Sequence, residues 1–350
     1  MDFAITCPIP IADRKNIVLG HGSGGRLTSQ LIHDIFLPAF DNEILRKMDD
    51  QAVLRVGAAR IAFTTDSFVV TPLFFPGGDI GELAVNGTVN DLAMSGARPL
   101  YLSASFIIEE GFELEELSRV TQSMADAARR AGVAIVTGDT KVVNKGSADK
   151  LFITTSGVGL VPDGIEISAD KARLGDVIIL SGTIGDHGMA VFSKREGLEF
   201  EGSILSDTAP LHSLVEAMLG ATPQAGEIHC LRDPTRGGLG TSLCEIAAAA
   251  NIGIEIDANA IPVREDVKAA CEILGLDALF VANEGKLVAF VAPESANAVL
   301  AGMRRIPEGR DATVIGRAVA AHAGMVLLKT EVGGTRLVDL PFTEQLPRIC

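Results

Sequence analysis

The sequence predicts a two-domain α/β protein. The chain has 350 residues, which is more than a single domain usually holds. Hydrophobic residues make up 47% and charged residues 21%, a globular rather than a disordered composition. Both halves alternate short apolar runs with segments of helical periodicity, and the polar stretch "VPDGIEISADKARLGD" separates them. These observations predict a lead-in at 1–16, domains at 17–161 and 162–337, and an extended arm at 338–350.

Helices and strands are predicted in alternation through the first half. Leu27, Leu31 and Ile35 recur at helical spacing after a run of glycines. Two strands around a turn follow in "AVLRVGAARIAFTTD". The next helix, "IGELAVNGTVNDLAMSG", places Asn86 and Asn90 on one face at i, i+4. "YLSASFII" predicts a strand, and the helix after it ends at Gly132; "VAIVTGD" and "LFITTSGVGLV" predict two further strands.

The second half repeats this mixture after the strand and glycine-rich loop of "VIILSGTIGDHGM". Its apolar periodicity predicts helices at 209–220, 237–250, 264–274 and 294–305. Strands are predicted at 253–257, 279–282, 286–291, 312–319 and 324–329.

Composition excludes several classes of function. The net charge of −15 disfavours a nucleic-acid partner, because a polyanion is repelled, whereas acidic residues attract hard cations such as Mg²⁺. Five cysteines, at 7, 230, 244, 271 and 350, follow neither a disulfide nor a zinc spacing. His229 beside Cys230 favours a structural pair over a metal pair. The opening "MDFAITCPIP" does not resemble a signal peptide and no apolar run is long enough for a membrane span, so we expect a cytoplasmic protein.

Two glycine-rich segments are candidates for anion binding. "GHGSGG", Gly20 to Gly25, precedes a helix whose free N–H groups favour an anion, although a flexible turn explains the same letters. It is not a Walker A loop, because no Lys-Ser/Thr follows it. "RDPTRGGLGTSL" places Asp233 and Arg236 around a proline turn at a helix start; a plain capped helix is the alternative.

A set of aspartates predicts a metal–phosphate site. Asp66 and Asp139 each follow an apolar strand, so we expect both carboxylates at one edge of a sheet. Mg²⁺ takes carboxylate and phosphate oxygens. A single aspartate is usually a turn former, but several after apolar segments favour a site. The candidates are Asp49, Asp50, Asp66, Asp91 and Asp139. "NEGK", with Glu284 and Lys286, is by itself an ordinary turn between strands.

The chain ends in "LPFTEQLPRIC", where Pro341 and Pro347 favour an extended backbone. A terminal thiol has no chain beyond it to pack. The segment is interpreted either as an arm that delivers Cys350 to a site or as a frayed terminus.

Taken together, these segments resemble the HypE family of hydrogenase-maturation proteins within the PurM-like ATP-binding superfamily. The motifs "GHGSGG", "TTDSFVVTPLFFPGGDIGELAVNGTVNDLAMSGARP", "TGDTKVV", "RDPTRGGL", "NEGK" and "PRIC" occur in that family's order, from residue 20 to the last residue. The resemblance implies a PurM/AIR-synthase-like fold with mixed sheets flanked by helices, a homodimer, and binding of ATP and Mg²⁺.

The resemblance also implies the reaction. In this family a carbamoyltransferase, HypF, loads a carbamoyl group onto the terminal thiol. ATP then drives dehydration to a thiocyanate, and the cyano group passes to iron on the HypC–HypD complex for the [NiFe]-hydrogenase. Cys350 would be the carrier thiol on its tether.

Site residues are carried over from the family motifs as expectations. Glu284 is the expected proton acceptor and Lys141 its charge partner in catalysis with Cys350, although their roles can be exchanged. The expected nucleotide-binding residues are Gly22, Ser23, Gly24, Gly25, Asp66, Asn90, Asp91, Asp139 and Asp233. The expected metal ligands are Asp66, Asp91 and Asp139, with Asp49 and Asp50 as further candidates.

Two alternatives remain open from the residues alone. One is another ligase or kinase of the superfamily, although Cys7 precedes the glycines by too many residues to match the selenophosphate synthetases. The other is a thiol carrier for which ATP is only a structural ligand. For Cys350 itself, the adjoining α-carboxylate disfavours the thiolate and Arg348 opposes this only in part, so the free tail is expected to react no faster than a simple peptide thiol.

Overall fold

A mixed sheet forms the centre of the first half. The computed structural model describes residues 16–22, 24–198, 204–222, 224, 226–341, 346 and 348–350. The strands of this half are β1 (Ala52–Val56), β2 (Ala59–Phe68), β3 (Phe74–Phe75), β4 (Gly78–Asp79), β5 (Arg98–Glu109), β6 (Ala134–Val143) and β7 (Leu151–Leu160). The sheet order is β1-β2-β7-β5-β6; β5 and β6 run parallel and the other neighbours antiparallel, while β3 and β4 pair separately.

Among the described residues, two long helices pack on one face of this sheet. The helices of the first half are α1 (Arg26–Leu31), α2 (Leu37–Phe40), α3 (Ile80–Met94) and α4 (Leu114–Ala131). Asp79 caps α3 by accepting from the backbone N–H of Gly81 at 2.7 Å. Gly132, at φ 66°, ends α4 as predicted. Nearly all of α3 is buried between the sheet, α4 and the second half, so this helix is the central support of the structure.

The two faces of the first sheet differ sharply. Alternate residues of β7, such as Leu151, Ile153 and Thr155, are buried against α3. We call this the inner face. The opposite, outer face carries exposed apolar side chains, among them Phe63, Tyr101 and Ile107. Because strand side chains alternate between faces, the paired residues of the sheet can be assigned to one of them.

The second half contains the other large sheet. Its strands are β8 (Val177–Leu180), β9 (Ile228–Arg232), β10 (Gly253–Asp257), β11 (Val288–Val291), β12 (Thr313–Val319), β13 (Val326–Lys329) and β14 (Thr335–Val338), in the order β14-β13-β10-β12-β8-β11-β9. Its helices are α5 (Asp186–Glu196), α6 (His212–Ala221), α7 (Gly238–Ala250), α8 (Glu265–Leu274) and α9 (Ala296–Met303). No helix in the described ranges is both long and apolar enough to cross a membrane.

The predicted fold class is confirmed, and the differences are local. The helices at 237–250 and 264–274 and the strand at 253–257 match within a residue. The predicted strand at 279–282 is wrong, because Ala278–Phe280 forms a short 3-10 turn held by the Asp277 side chain. The sequence prediction also missed α5, β9 and β14. The glycines of "TIGDHGM" concealed α5, which begins directly after Gly185 in a left-handed conformation (φ 85°).

Candidate active site

The last residues of the chain are docked rather than free. The backbone N–H of Val69 donates to the main-chain oxygen of Cys350 at 3.0 Å. Two residues further along, the N–H of Thr71 donates to the Arg348 carbonyl at 3.4 Å. Ile349 is 1% exposed, and Cys350 is half-buried. The chain end therefore lies along residues 69–71, with Arg348 in a left-handed conformation (φ 55°) rather than an extended one.

Side chains from α5 and from the terminal segment itself hold this position. Arg195, on α5, donates through Nη2 to the Arg348 carbonyl at 2.6 Å. Arg348 in turn donates to the Asp149 carboxylate at 2.7 Å and to the Val69 carbonyl at 3.1 and 3.2 Å. We call residues 346 and 348–350 the docked terminus.

The docked terminus lies near a group of carboxylates. Val69 follows Asp66 by three residues, so an extended backbone separates them by about 10 Å. The group consists of Asp50, Asp66, Asp91, Asp233 and Glu284, which we call the carboxylate cluster. Asp233 and Glu284 are 5% and 3% exposed, and the other three are half-buried.

Burial raises the pKa of every member of the carboxylate cluster, and other cluster members add to this for Asp91, Asp233 and Glu284. For Asp91, burial is the largest cause of the raised pKa, followed by the negative charges of Asp233, Asp66 and Asp50. Burial also raises the pKa of Glu284 well above its usual range, with Asp66 and Asp233 adding to it. Crowded anionic carboxylates of this kind are unfavourable without a cation.

Two arginines partly balance the cluster. Arg232 Nη1 contacts Asp50 Oδ1 at 2.5 Å. Burial nevertheless raises the pKa of Asp50 to about 6, because it outweighs the opposing charge of Arg232. The positive charge of Arg236 lowers the pKa values of Asp66 and Glu284, again less than burial raises them.

Backbone contacts hold Glu284 in place and leave part of its carboxylate without a partner. Its N–H donates to Asp207 Oδ1 at 3.0 Å, and its carbonyl accepts from Asn90 Nδ2 at 3.3 Å. Asp207 Oδ2 pairs with Lys286 Nζ at 3.1 Å. Among the described residues, Glu284 Oε1 is buried and has no hydrogen-bond partner. An uncompensated buried acceptor is suited to receive a proton or a ligand.

The glycine-rich segment meets the "RDPTRGG" turn, as expected for two parts of one site. Gly24 has φ 81°, and a Cβ built on it would lie 2.8 Å from the Arg236 carbonyl oxygen, so only glycine fits there. A Cβ built on Gly25 would lie 2.6 Å from the carbonyl oxygen of Pro341, at the start of the arm. The space around Gly22 is open. Ser23, also predicted to bind nucleotide, lies outside the described residues.

The structure of one chain does not bring Asp139 and Lys141 to the carboxylate cluster. Asp66 is paired with Thr155 and so lies on the inner face, whereas Asp139 is paired with Ser105 on the outer face. The strands β7 and β5 also separate β2 from β6, a distance of about 14 Å. The expectation that Asp66 and Asp139 end strands at one sheet edge is therefore wrong within one chain, because both lie inside strands.

Asp139 and Lys141 instead contact each other. Lys141 Nζ approaches the Asp139 oxygens at 2.6 and 2.8 Å, and both side chains are more than 60% exposed. Hydrogen bonding from Lys141 is the largest cause of a lowered Asp139 pKa. We call these two residues the β6 pair.

Asp49 and the His229–Cys230 pair have structural contacts. Asp49 accepts from Ser168 Oγ at 2.7 Å and from the Ala169 N–H at 2.9 Å, which ties the two halves together. His229 Nδ1 contacts Asp176 at 2.8 Å inside the second half, which agrees with the structural interpretation.

Metal binding would require the carboxylates to close on an ion. Within the described ranges, no three His, Cys, Asp or Glu side chains form a ready-made metal site. The donor set of the carboxylate cluster consists of oxygens, which fit Mg²⁺ in chemistry.

Asp207 and His187 contact the site but carried no signal in the sequence. Neither belongs to a motif. Asp207 lies in the segment 204–211, which passes along the polar face of α3, and His187 contacts Ser206 of the same segment. The Asn86–Asn90 spacing was the one available clue, because Asn86 contacts Thr208 and Asn90 contacts Ala209 and Leu211.

Comparison with known proteins identifies relatives over almost the whole chain. The family of AIR synthase related proteins matches through its N-terminal domain at residues 48–161 and its C-terminal domain at 173–329. "Carbamoyl dehydratase HypE" of Bradyrhizobium diazoefficiens is 59% identical over 332 residues, covering 95% of each chain. The protein of the same name from Escherichia coli is 48% identical over 341 residues, covering 96% of this chain and all of the relative.

Solved structures agree with these sequence matches. A crystal structure of a HypE–HypF complex has a TM-score of 0.84 at 50% identity, covering 89% of this chain and 99% of the other. A HypE structure in complex with ATP has a TM-score of 0.80 at 50% identity, covering 96% and 100%. Thiamine monophosphate kinase of Aquifex aeolicus, at 20% identity and a TM-score of 0.64, shares the fold.

Proposed function

This chain belongs to the HypE family of AIR synthase related proteins, and on that premise we propose that it is an ATP-dependent dehydratase acting on a carbamoyl group carried by its own Cys350. The observation that carries the proposal is the docked terminus. The main-chain oxygen of Cys350 accepts from Val69, on the same stretch of chain as Asp66 of the carboxylate cluster. The carrier residue and the acidic site are thus neighbours.

The proposed reaction converts a thiocarboxamide into a thiocyanate. The carbamoyl oxygen takes the γ-phosphoryl group of ATP, which makes that oxygen a good leaving group. The C–O bond then breaks and phosphate leaves, while the nitrogen loses both hydrogens and forms the nitrile. ADP, phosphate and one released proton complete the balance. Positioning and charge neutralisation supply most of the catalysis in phosphoryl transfer.

Glu284 is the proposed proton acceptor. Burial and neighbouring carboxylates raise its pKa, and its Oε1 atom has no partner among the described residues. A carboxylate with a raised pKa is a stronger base toward an N–H proton than an ordinary surface glutamate. Asp207 and Asn90 hold its backbone from both sides, which supports a fixed direction of proton transfer.

Asp50, Asp66, Asp91 and Asp233 are the proposed residues for Mg²⁺ and nucleotide phosphates, with Gly22, Gly24 and Gly25 beside them. Bound Mg²⁺ would neutralise the phosphate charge. Burial and neighbouring carboxylates raise the pKa values of Asp50, Asp91 and Asp233, which supports a cation there, since a cation relieves the repulsion. The HypE structure in complex with ATP supports nucleotide binding by this family.

A homodimer through the outer face is proposed as the assembled form. The exposed apolar side chains of that face, including Phe63, Tyr101 and Ile107, favour coverage by another surface. The β6 pair also lies on the outer face. In a dimer, Asp139 and Lys141 would serve the carboxylate cluster of the second copy, which would reconcile the family assignment with their distance from the cluster in one chain.

Partner proteins are proposed by relationship. The HypE–HypF complex supports a carbamoyltransferase of the HypF type as the donor to Cys350. The HypC–HypD complex is the proposed acceptor of the cyano group, with the whole exchange in the cytoplasm.

Chemical carbamoylation tests the function without any partner. The purified chain is treated with cyanate, then with Mg-ATP, and is cleaved after Glu344 to release the peptide "QLPRIC" for mass spectrometry. We expect the carbamoylated peptide to lose one water only when ATP is present, and not in Glu284→Gln. Cys350→Ser should leave no thiol adduct to convert. A stable carbamoyl peptide in the wild type with ATP bound would contradict the proposal and favour a carrier.

A further inference from the structure

His187 joins the docked terminus to the segment 204–211. It is 0% exposed, at the start of α5, with its ring edge against Phe75. Its Nε2 atom lies 3.0 Å from the Ile349 carbonyl oxygen, and its Nδ1 atom lies 2.8 Å from Ser206 Oγ. One buried imidazole thus contacts the residue before Cys350 and a residue of the other segment at once.

The partners determine the form of this ring. A carbonyl oxygen only accepts, so Nε2 carries the hydrogen that faces Ile349. In the neutral ring, Nδ1 accepts from the Ser206 hydroxyl, whose oxygen in turn accepts from the Thr208 N–H at 3.2 Å. Every polar atom of this arrangement then has a partner. Burial lowers the pKa of His187, which favours the same neutral form.

The connection continues to Glu284. Ser206 is followed directly by Asp207, whose Oδ1 accepts from the Glu284 N–H at 3.0 Å. The backbone of Asp207 is packed tightly here, since a Cβ on Gly285 would lie 1.8 Å from its carbonyl oxygen. Lys286 holds the other carboxylate oxygen of Asp207. A shift of Ser206 would therefore displace the residue that positions Glu284.

We propose that His187 is a positioning residue that couples docking of the chain terminus to the placement of Glu284, through Ser206 and Asp207. The role of Glu284 in this inference rests on the proposed function. The role assigned to His187 is one of positioning, because its ring nitrogens contact the Ile349 carbonyl and the Ser206 hydroxyl. The device would align the proton acceptor only while the carrier arm is in place.

Coupling of this kind is reciprocal, which provides a test that needs no turnover. If a docked arm favours the Glu284 geometry, then cutting the connection at Ser206 must weaken docking of the arm. Docking is measured as the rate of alkylation of Cys350 by iodoacetamide, followed on the peptide "QLPRIC". The variants are His187→Gln, which keeps an N–H near the Nε2 position but loses the Nδ1 contact, Ser206→Ala, and the double variant.

Each single substitution is expected to accelerate Cys350 alkylation about fivefold, the size of one neutral hydrogen bond. The double variant should also show about fivefold rather than the product, because both changes cut the same connection. Ser193→Ala is the matched control: it removes another buried hydroxyl, bonded only to Met189 on α5 among the described residues, and should leave alkylation unchanged. Thermal unfolding checks that every variant is folded, and Ser206→Ala alone still decides the coupling if His187→Gln is not folded.

Additive effects in the double variant, or a wild-type alkylation rate in Ser206→Ala, would overturn the coupling. Dehydration of the carbamoylated peptide, measured on the same variants, should fall in each single variant and fall no further in the double variant. If the wild type dehydrates nothing, the proposed function fails while the alkylation cycle still decides the coupling. If the wild type dehydrates and the cycle is additive, the function stands and the coupling fails.

Discussion

The carboxylate cluster and the β6 pair contain the same kind of residue in opposite environments. The cluster lies on the inner face of the first sheet or beside it, and burial raises the pKa of each member. Asp139 lies on the outer face, exposed, and Lys141 lowers its pKa. The family motifs led us to expect both groups in one reaction. Residues expected to serve one reaction can thus lie on opposite faces of one sheet. A single chain does not bring the two groups together.

Substitution of Glu284 is expected to cause the largest loss of dehydration activity. Glu284→Gln should lower the rate of ATP-dependent dehydration at least a hundredfold, because the variant removes the proposed proton acceptor and keeps its shape. Because the amide has the shape of the buried carboxyl group, the variant should stay folded, with a melting temperature no lower than that of the wild type. The measurement is the rate of water loss from the carbamoylated Cys350 peptide.

Glu82→Gln is the control for this prediction. Burial raises the pKa of Glu82 too, but its partner is Arg130, away from the carboxylate cluster. It should retain wild-type dehydration. A Glu284→Gln enzyme with wild-type turnover would exclude Glu284 as the proton acceptor and leave Lys141 of the β6 pair as the remaining candidate.

Mixed dimers test whether the two groups meet across copies. Asp139→Ala and Glu284→Gln should each be inactive alone. Mixed and re-equilibrated in equal amounts, they should recover about a quarter of wild-type dehydration, because half of the dimers are mixed and one of their two sites is complete. No recovery, with mixed dimers verified by native mass spectrometry, would contradict a site shared between copies.

The sequence predicted the local parts of this site and not their relative placement. "RDPTRGG" and the Asn86–Asn90 face were predictable because turns and helical faces depend on neighbouring residues. The separation of Asp66 from Asp139 was not, because it depends on the strand order β2-β7-β5-β6 and on pairing register, which join distant parts of the chain. Asp207 was missed for the same reason: its partners Glu284 and Lys286 lie far along the chain.

The pH dependence of the melting temperature provides a smaller effect that distinguishes the two environments. Asp50 has a folded pKa of about 6, above its ordinary value near 4. Its contribution to stability is therefore complete below pH ~4 and is lost as the pH rises through about 6. The melting temperature of the wild type should rise relative to that of Asp50→Asn as the pH falls from about 7.5 to about 5, measured in EDTA. Comparing the two proteins cancels His187, whose lowered pKa acts in the opposite direction. A constant difference across this range would mean that Asp50 titrates normally.

The smallest effect is expected at the β6 pair, and its dependence on concentration is informative. Exposed ion pairs contribute little to stability, so Asp139→Asn should leave the melting temperature of the monomer unchanged. If the outer face is covered in a dimer, the same substitution would alter a buried environment, and a shift should appear only at chain concentrations where the dimer forms. Ile107→Glu, on the outer face of the neighbouring strand β5, is the comparison, since it should prevent dimer formation while leaving the carboxylate cluster intact. Light scattering alongside the thermal scans reports the assembly state. A shift in melting temperature at every concentration would mean that Asp139 supports the fold of a single chain, and the contrast between the two groups would then be one of degree.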